Sequence, residues 1–190
     1  RSLWLAKKAS RSVALQPIPR PTLKRVDFQI IVRQRNGWVD QVASEAKIET
    51  PKFDGTVKRG SATCPCCGYT TSVVRVREQL KTRRGGTRDA RLLCVVTART
   101  DETGRTYRLP NPLDLLTVQR TFVALKRLNK SGSHGLSSVP DEKISLNEIR
   151  RISVPLYGMT TWGDLFTARQ ALVLVHMVDC VLSLPSKISL

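Results

Sequence analysis

Two cysteines three positions apart, in the run Cys64-Pro65-Cys66-Cys67-Gly68, constrain this chain more than any other feature. The spacing lets the Cys64 and Cys67 thiolates converge on one metal at the tip of a tight turn, and Gly68 lets the backbone swing under the sulfurs without a Cβ clash. Such a turn is half of a tetrahedral zinc site. No second C-x-x-C follows: the remaining soft or imidazole ligands are Cys66, the isolated Cys94 and Cys180, and the scattered His134 and His176. Cys66 lies inside the turn and is expected to point away from a metal held by its neighbours. Either the site is completed from outside the chain or no zinc is held. Two other readings stay open: a redox-active pair, which usually opens a helix in a βαβ unit, and a buried pair without function.

The charge balance narrows the choice of partner. With 32 Lys and Arg against 15 Asp and Glu, the 190 residues carry a formal charge of +17, far more than solubility requires. Lys and Arg are spread along the chain, as expected of a surface that meets a polyanion, and nucleic acid fits best. The rival explanations are a basic protein without a partner and a basic segment docked on an acidic part of a larger assembly. The densest group, Lys81, Arg83, Arg84, Arg88 and Arg91, surrounds a predicted helix end with hardly an acidic neighbour and supplies the candidate phosphate contacts; its alternative is a solvated helix face.

No secretory signal is visible, since Lys7, Lys8 and Arg11 follow the start at once. The most apolar stretch, Ala171 to Leu184, is too short to span a bilayer and contains His176 and Asp179. Five cysteines without framework spacing argue for a reducing compartment and a cytoplasmic protein without a membrane partner. There the sequon Asn129-Lys130-Ser131 has no meaning. A first residue of Arg reads as a piece of a longer protein.

Local patterns predict an α+β chain. Arg11 to Ile18 and Lys24 to Arg33 alternate as two strands of a meander, separated by Pro17, Pro19 and Pro21. Residues 34–54 read as a polar loop, and Gly55 to Thr63 as one short strand leading into the cysteine turn. Ser72 to Arg84 places Val73, Val76 and Leu80 on one helical face and stops at Gly85-Gly86. Arg91 to Arg99 reads as a central strand, paired through a turn at 101–104 with Arg105 to Leu109. Asn111 is an apt N-cap with Pro112 at the first helical position, and Leu115, Val118, Phe122 and Leu125 carry that helix to about Leu128. Residues 129–141 read as mobile, with a solvated His134. Thr167-Ala168-Arg169-Gln170 forms a capping box that opens a last helix through Leu182, where His176 and Cys180 are expected in the core.

Several segments, in this order, resemble the central region of the large bacterial and archaeal adenine-specific DNA methylases that contain an internal zinc ribbon. The resemblance rests on Arg1 to Lys8, Gly55-Thr56-Val57 with Arg59-Gly60, the Cys64 to Gly68 turn, Arg75 to Leu80 with Arg84-Gly85-Gly86, and Ala90-Arg91-Leu92-Leu93. It continues through Gly104-Arg105 with Tyr107 to Pro110, then Tyr157-Gly158-Met159-Thr160, Trp162 to Thr167 and Arg169-Gln170. The resemblance implies that Cys64 and Cys67 are the second cysteine pair of the ribbon and that the first pair lies upstream of Arg1. It implies a parent enzyme that transfers a methyl group from S-adenosylmethionine to the exocyclic amine of an adenine taken out of the stack. The family's donor-binding turn precedes this region and its Asp-Pro-Pro-Tyr motif follows it; here only Asn111-Pro112-Leu113-Asp114 comes near. Cys94 stands where a small residue is usual, and the stretch after Asp179 departs from the family, as in a truncated or split reading frame.

The expected organisation is a zinc-ribbon-like strand-rich segment over 1–69, a basic helix-hairpin-helix module over 70–130, a flexible linker over 131–156, and an aromatic segment with the last helix over 157–190. Together they make an α+β set of small antiparallel sheets, zinc-ribbon-like hairpins and three helices, part of a larger α/β methyltransferase. The partners are DNA and the remaining parts of that enzyme. This chain alone is expected to hold half a zinc shell, no catalytic residue and no S-adenosylmethionine. The alternative is a stand-alone zinc-dependent nucleic-acid-binding protein.

Overall fold

Alternation in the first forty residues builds an antiparallel meander. In the computed structural model, which describes residues 2–8, 11–43, 47–49, 51–101, 103–130, 137–148 and 152–184, it comprises β1 (Trp4–Lys8), β2 (Arg11–Arg20), β3 (Arg25–Gln34), β4 (Gly37–Asp40) and β5 (Lys47–Ile48), in that spatial order. The expectations for His134 and for 185–190 lie outside the described residues. The fold is α+β, and the chain divides into two compact units, Arg1–Val76 with Leu92–Pro110 and Arg77–Arg91 with Asn111–Leu190.

In the first unit β2 and β3 pair from Val13↔Val32 to Arg20↔Arg25. Their period of two turns Val13, Leu15 and Ile30 to one face, where Leu93, Cys94 and Tyr107 pack against them. The opposite face carries Ala14 and Ile31, both fully buried. On that face lie Trp4, paired with Ala14, and Trp38, paired with Arg33. Phe53 joins them, stacked on Trp4 at 4.2 Å between centroids and 4.9 Å from Trp38.

Three sequence expectations are corrected here. Pro17 and Pro19 lie within β2, paired with Phe28 and Val26. The Leu15 N–H points to the β1 side, donating to the Leu3 carbonyl at 2.8 Å; the prolines share its parity, so their missing N–H groups face an edge that β1 does not reach. The supposed loop 34–54 contains β4 and β5, because Arg35-Asn36 form a two-residue turn that lets Gln34 pair with Gly37, itself at φ 122°. The predicted strand 55–63 is a hairpin of β6 (Val57–Lys58) and β7 (Ser61–Thr63), turned by Arg59 and Gly60 at φ 50° and 88°. A third short strand, β8 (Thr70–Thr71), pairs with β7.

The hairpin of β9 (Val95–Thr97) and β10 (Thr106–Arg108) forms as expected, but β9 is short and no third strand joins it among the described residues. Leu93 and Cys94 leave the ladder and pack on the meander, so the apolar run is a covering layer and not a central strand.

The helices are α1 (Val73–Thr82), α2 (Pro112–Lys130) and α3 (Ala168–Leu182). At the start of α2 the Asn111 Oδ1 accepts from the Asp114 N–H at 3.0 Å, while Asp114 accepts from the Asn111 N–H at 2.8 Å. Thr167 and Gln170 form the expected capping box on α3. In the second unit α2 packs against α3, with Ala168, Ala171 and Val175 of α3 buried.

The buried side of α2 is centred on Thr121, whereas Leu115 and Phe122 are about half exposed, contrary to the expected face. Burial costs Thr121 little, because its hydroxyl donates to the Thr117 carbonyl at 2.7 Å. His176 and Cys180 are exposed and not in the core; Ala171 and Val175 define the inward face that excludes them. Within the stretch expected as a linker, Ile144 is buried and donates its N–H to the Thr160 carbonyl, and the Gly163 N–H donates to the Pro140 carbonyl at 2.8 Å.

Candidate metal centre and nucleic-acid interface

The cysteine turn joins β7 to β8 in the first unit. The Cys64 N–H donates to the Tyr69 carbonyl and the Gly68 N–H to the Cys64 carbonyl, both at 2.8 Å, and the Thr63 and Thr70 hydroxyls meet at 3.0 Å. Gly68 takes φ 76°, the left-handed conformation anticipated for the residue that closes the turn. Cys64 and Cys67 are exposed. The Cys64 thiol is held below its ordinary pKa first by the backbone N–H of Cys67, then by that of Cys66, with the Cys67 thiol adding to the effect. These donors favour thiolate, the form that binds metal. Cys66 turns elsewhere and donates to the Arg25 carbonyl at 3.3 Å.

The chemistry of Cys64 and Cys67 fits half of a zinc shell. Among the described residues no group of three or more His, Cys, Asp and Glu side chains converges on a metal position. Cys94 is partly buried, and its thiol pKa is raised by that burial. A redox pair at a helix start is a poorer description, because this pair lies between two strands.

The basic group belongs to the second unit. Lys81 lies in the last turn of α1, Arg83 and Arg84 follow the helix, Arg88 lies in the 3-10 turn Gly86–Asp89, and Arg91 comes after that turn. Lys81, Arg83, Arg84 and Arg91 are exposed. Asp89 is a nearer acid than the sequence suggested: its carboxylate sits 3.5 Å from the Arg83 guanidinium. The residue that turns the chain out of α1 in the left-handed conformation is Arg84, at φ 50°, while the Gly85 N–H donates to the Leu80 carbonyl at 2.7 Å.

The glycines serve a different purpose. A Cβ on Gly85 would stand 2.3 Å from the Tyr157 carbonyl oxygen, and one on Gly86 would meet the Met159 sulfur at 2.4 Å. Two segments distant in sequence therefore close on each other, and the Thr87 hydroxyl adds a bond to the Phe166 carbonyl at 3.0 Å. Sequence reasoning singles out both segments without pairing them. It also misses Arg77, whose guanidinium lies over the Tyr157 ring at 5.6 Å.

Fold and site together define an α+β chain with a cysteine knuckle in one unit and a basic, glycine-packed helix end in the other. Comparison of the chain with protein-family models, with curated proteins and with solved structures finds no match in any of the three. No helix among the described residues is long and apolar enough to cross a membrane.

Proposed function

We propose that this chain is the central module of an adenine-specific DNA methylase with an internal zinc ribbon. Cys64 and Cys67 supply one half of the metal shell, and Lys81, Arg83, Arg84, Arg88 and Arg91 hold DNA phosphates. The reading is supported above all by the knuckle, where backbone N–H groups favour the Cys64 thiolate at an exposed turn. Zinc would act there as a structural staple, joining this pair to ligands contributed from outside the described residues. The excess of Lys and Arg supports DNA as the polyanion. S-adenosylmethionine and the target adenine are handled by other parts of the enzyme, because the donor-binding turn and the Asp-Pro-Pro-Tyr motif do not occur in this sequence.

Metal and donor titrations of the purified chain test this assignment. Zinc is expected to bind weakly and below one equivalent, and S-adenosylmethionine without saturation. One tight zinc per chain with four protein ligands would overturn the half-site, and saturable donor binding would overturn the placement of the active site. Flanking sequence without a cysteine pair before the region and Asp-Pro-Pro-Tyr after it would favour a stand-alone zinc-dependent nucleic-acid-binding protein.

A further inference from the structure

We propose that Arg77 is a phosphate-anchoring residue of the DNA interface, a role that rests on the DNA-binding reading above. Among the described residues, the Arg77 Nε is the buried side-chain nitrogen or oxygen that finds no hydrogen-bond partner. Its guanidinium is fixed over the Tyr157 ring at 5.6 Å, and none of the ion pairs found among those residues includes it. A half-buried cation without a counter-charge has given up hydration for little return, since stacking on a ring recovers only about 0.5–2 kcal/mol. With the Nε enclosed, an external anion would be met by the terminal guanidinium nitrogens and would bring the counter-charge that the ion pairs of the described residues do not supply.

The surroundings identify that anion. Lys81 follows Arg77 by one helical turn and so shares its face of α1, and exposed Arg84 comes just beyond the helix end. This side is rigid: a Cβ on Gly158 would lie 2.7 Å from the Leu80 carbonyl and 3.0 Å from the Lys81 Cα. Tyr157, which holds Arg77, is thus clamped to the same turn that presents Lys81. A fixed guanidinium beside flexible cations suits a phosphodiester, whose oxygens accept a forked pair of N–H groups. Lys81 and Arg84 add charge along the backbone, while Arg77 sets where it lies.

The test is fluorescence anisotropy of the full chain with two duplexes of unrelated sequence over a range of salt. Arg77→Gln is expected to weaken both complexes alike by about tenfold at low salt and to reduce the slope of log K against log salt by about one unit. Tyr157→Leu keeps the charge but frees it, so affinity should fall while the slope stays. If the Arg77→Gln chain does not fold, Arg77→Lys decides: it preserves the charge and loses the fork, and unchanged affinity would overturn the proposal. Wild-type binding with an unaltered slope in Arg77→Gln, where Lys81→Ala flattens it, defeats the Arg77 role alone. A wild-type chain that binds neither duplex defeats the DNA reading as well.

Discussion

Gly85 and Gly158 meet backbone to backbone: a Cβ built on Gly158 falls 2.9 Å from the Gly85 nitrogen, and one built on Gly85 falls 2.3 Å from the carbonyl oxygen of Tyr157. The close approach binds the exit of α1 to a segment more than seventy residues later in the sequence. It places the Tyr157 ring under Arg77 and leaves Lys81 on the outer surface of the same turn. A side chain at either glycine would push these backbones apart.

Substitution separates this close approach from simple backbone preference. Gly158→Ala carries the cost of φ 88° and of the Leu80 carbonyl at 2.7 Å, for a loss of roughly 2–4 kcal/mol. Gly68 has a similar φ of 76° with nothing within 4 Å of its Cβ position, so Gly68→Ala should cost only about 1–2 kcal/mol. Denaturant unfolding of the two variants measures the difference, and equal losses would contradict the packing role of Gly158.

The thiols should separate by pH. Backbone N–H groups lower the Cys64 pKa and burial raises that of Cys94, so iodoacetamide mapping by mass should show Cys64 reacting at a pH where Cys94 is still protected. The linked stabilities have opposite signs. The Cys64 contribution is present above its unfolded pKa and is lost as pH falls through the lowered folded value. That of Cys94 is present below its unfolded pKa and is lost as pH rises through the raised folded value. Equal alkylation profiles would refute the assignment of the knuckle as a thiolate site.

DNA binding should be tolerant of sequence and steeply dependent on salt. Replacing Lys81, Arg83, Arg84 and Arg91 together by Ala should lower affinity alike for unrelated duplexes and reduce the salt slope by about one unit for each phosphate no longer neutralised. Arg83 should contribute least, because its guanidinium lies 3.5 Å from the Asp89 carboxylate. Single-substitution salt titrations give that ranking. Docking on an acidic protein domain predicts instead that DNA affinity and slope do not change.

The aromatic group on the meander is a stability element. Trp4→Ala removes the ring stacked on Phe53 at 4.2 Å and lying 5.4 Å from Trp38, and should cost about 3–5 kcal/mol. Trp4→Phe should retain much of the packing. Near-UV circular dichroism and thermal melts of the two variants should rank them in that order.

Where a short stretch of sequence contains its own partners, it predicts structure well. The Asn111 and Thr167 caps form because each box is closed by a residue three positions away. Gly68 can be assigned to the knuckle because the left-handed conformation is a property of one residue. Arg35-Asn36, followed by Gly37 at φ 122°, make an equally local turn, masked by the polar stretch around it. The faces of α2 are not legible, since apolar residues surround much of that helix and only the tertiary packing leaves Thr121 buried and Phe122 about half exposed.

By itself the sequence determined the local patterns: an α+β alternation, a cysteine turn closed by Gly68, and a formal charge of +17. Tertiary structure alone decided which distant segments share a site. Gly85 sits against Tyr157, Arg77 stacks over that ring, and Asp89 draws the Arg83 cation. The reason is physical. Caps, turns and thiol acidity depend on neighbours within a few residues, whereas a close approach of two backbones depends on the path of the whole chain between them, which no local pattern encodes.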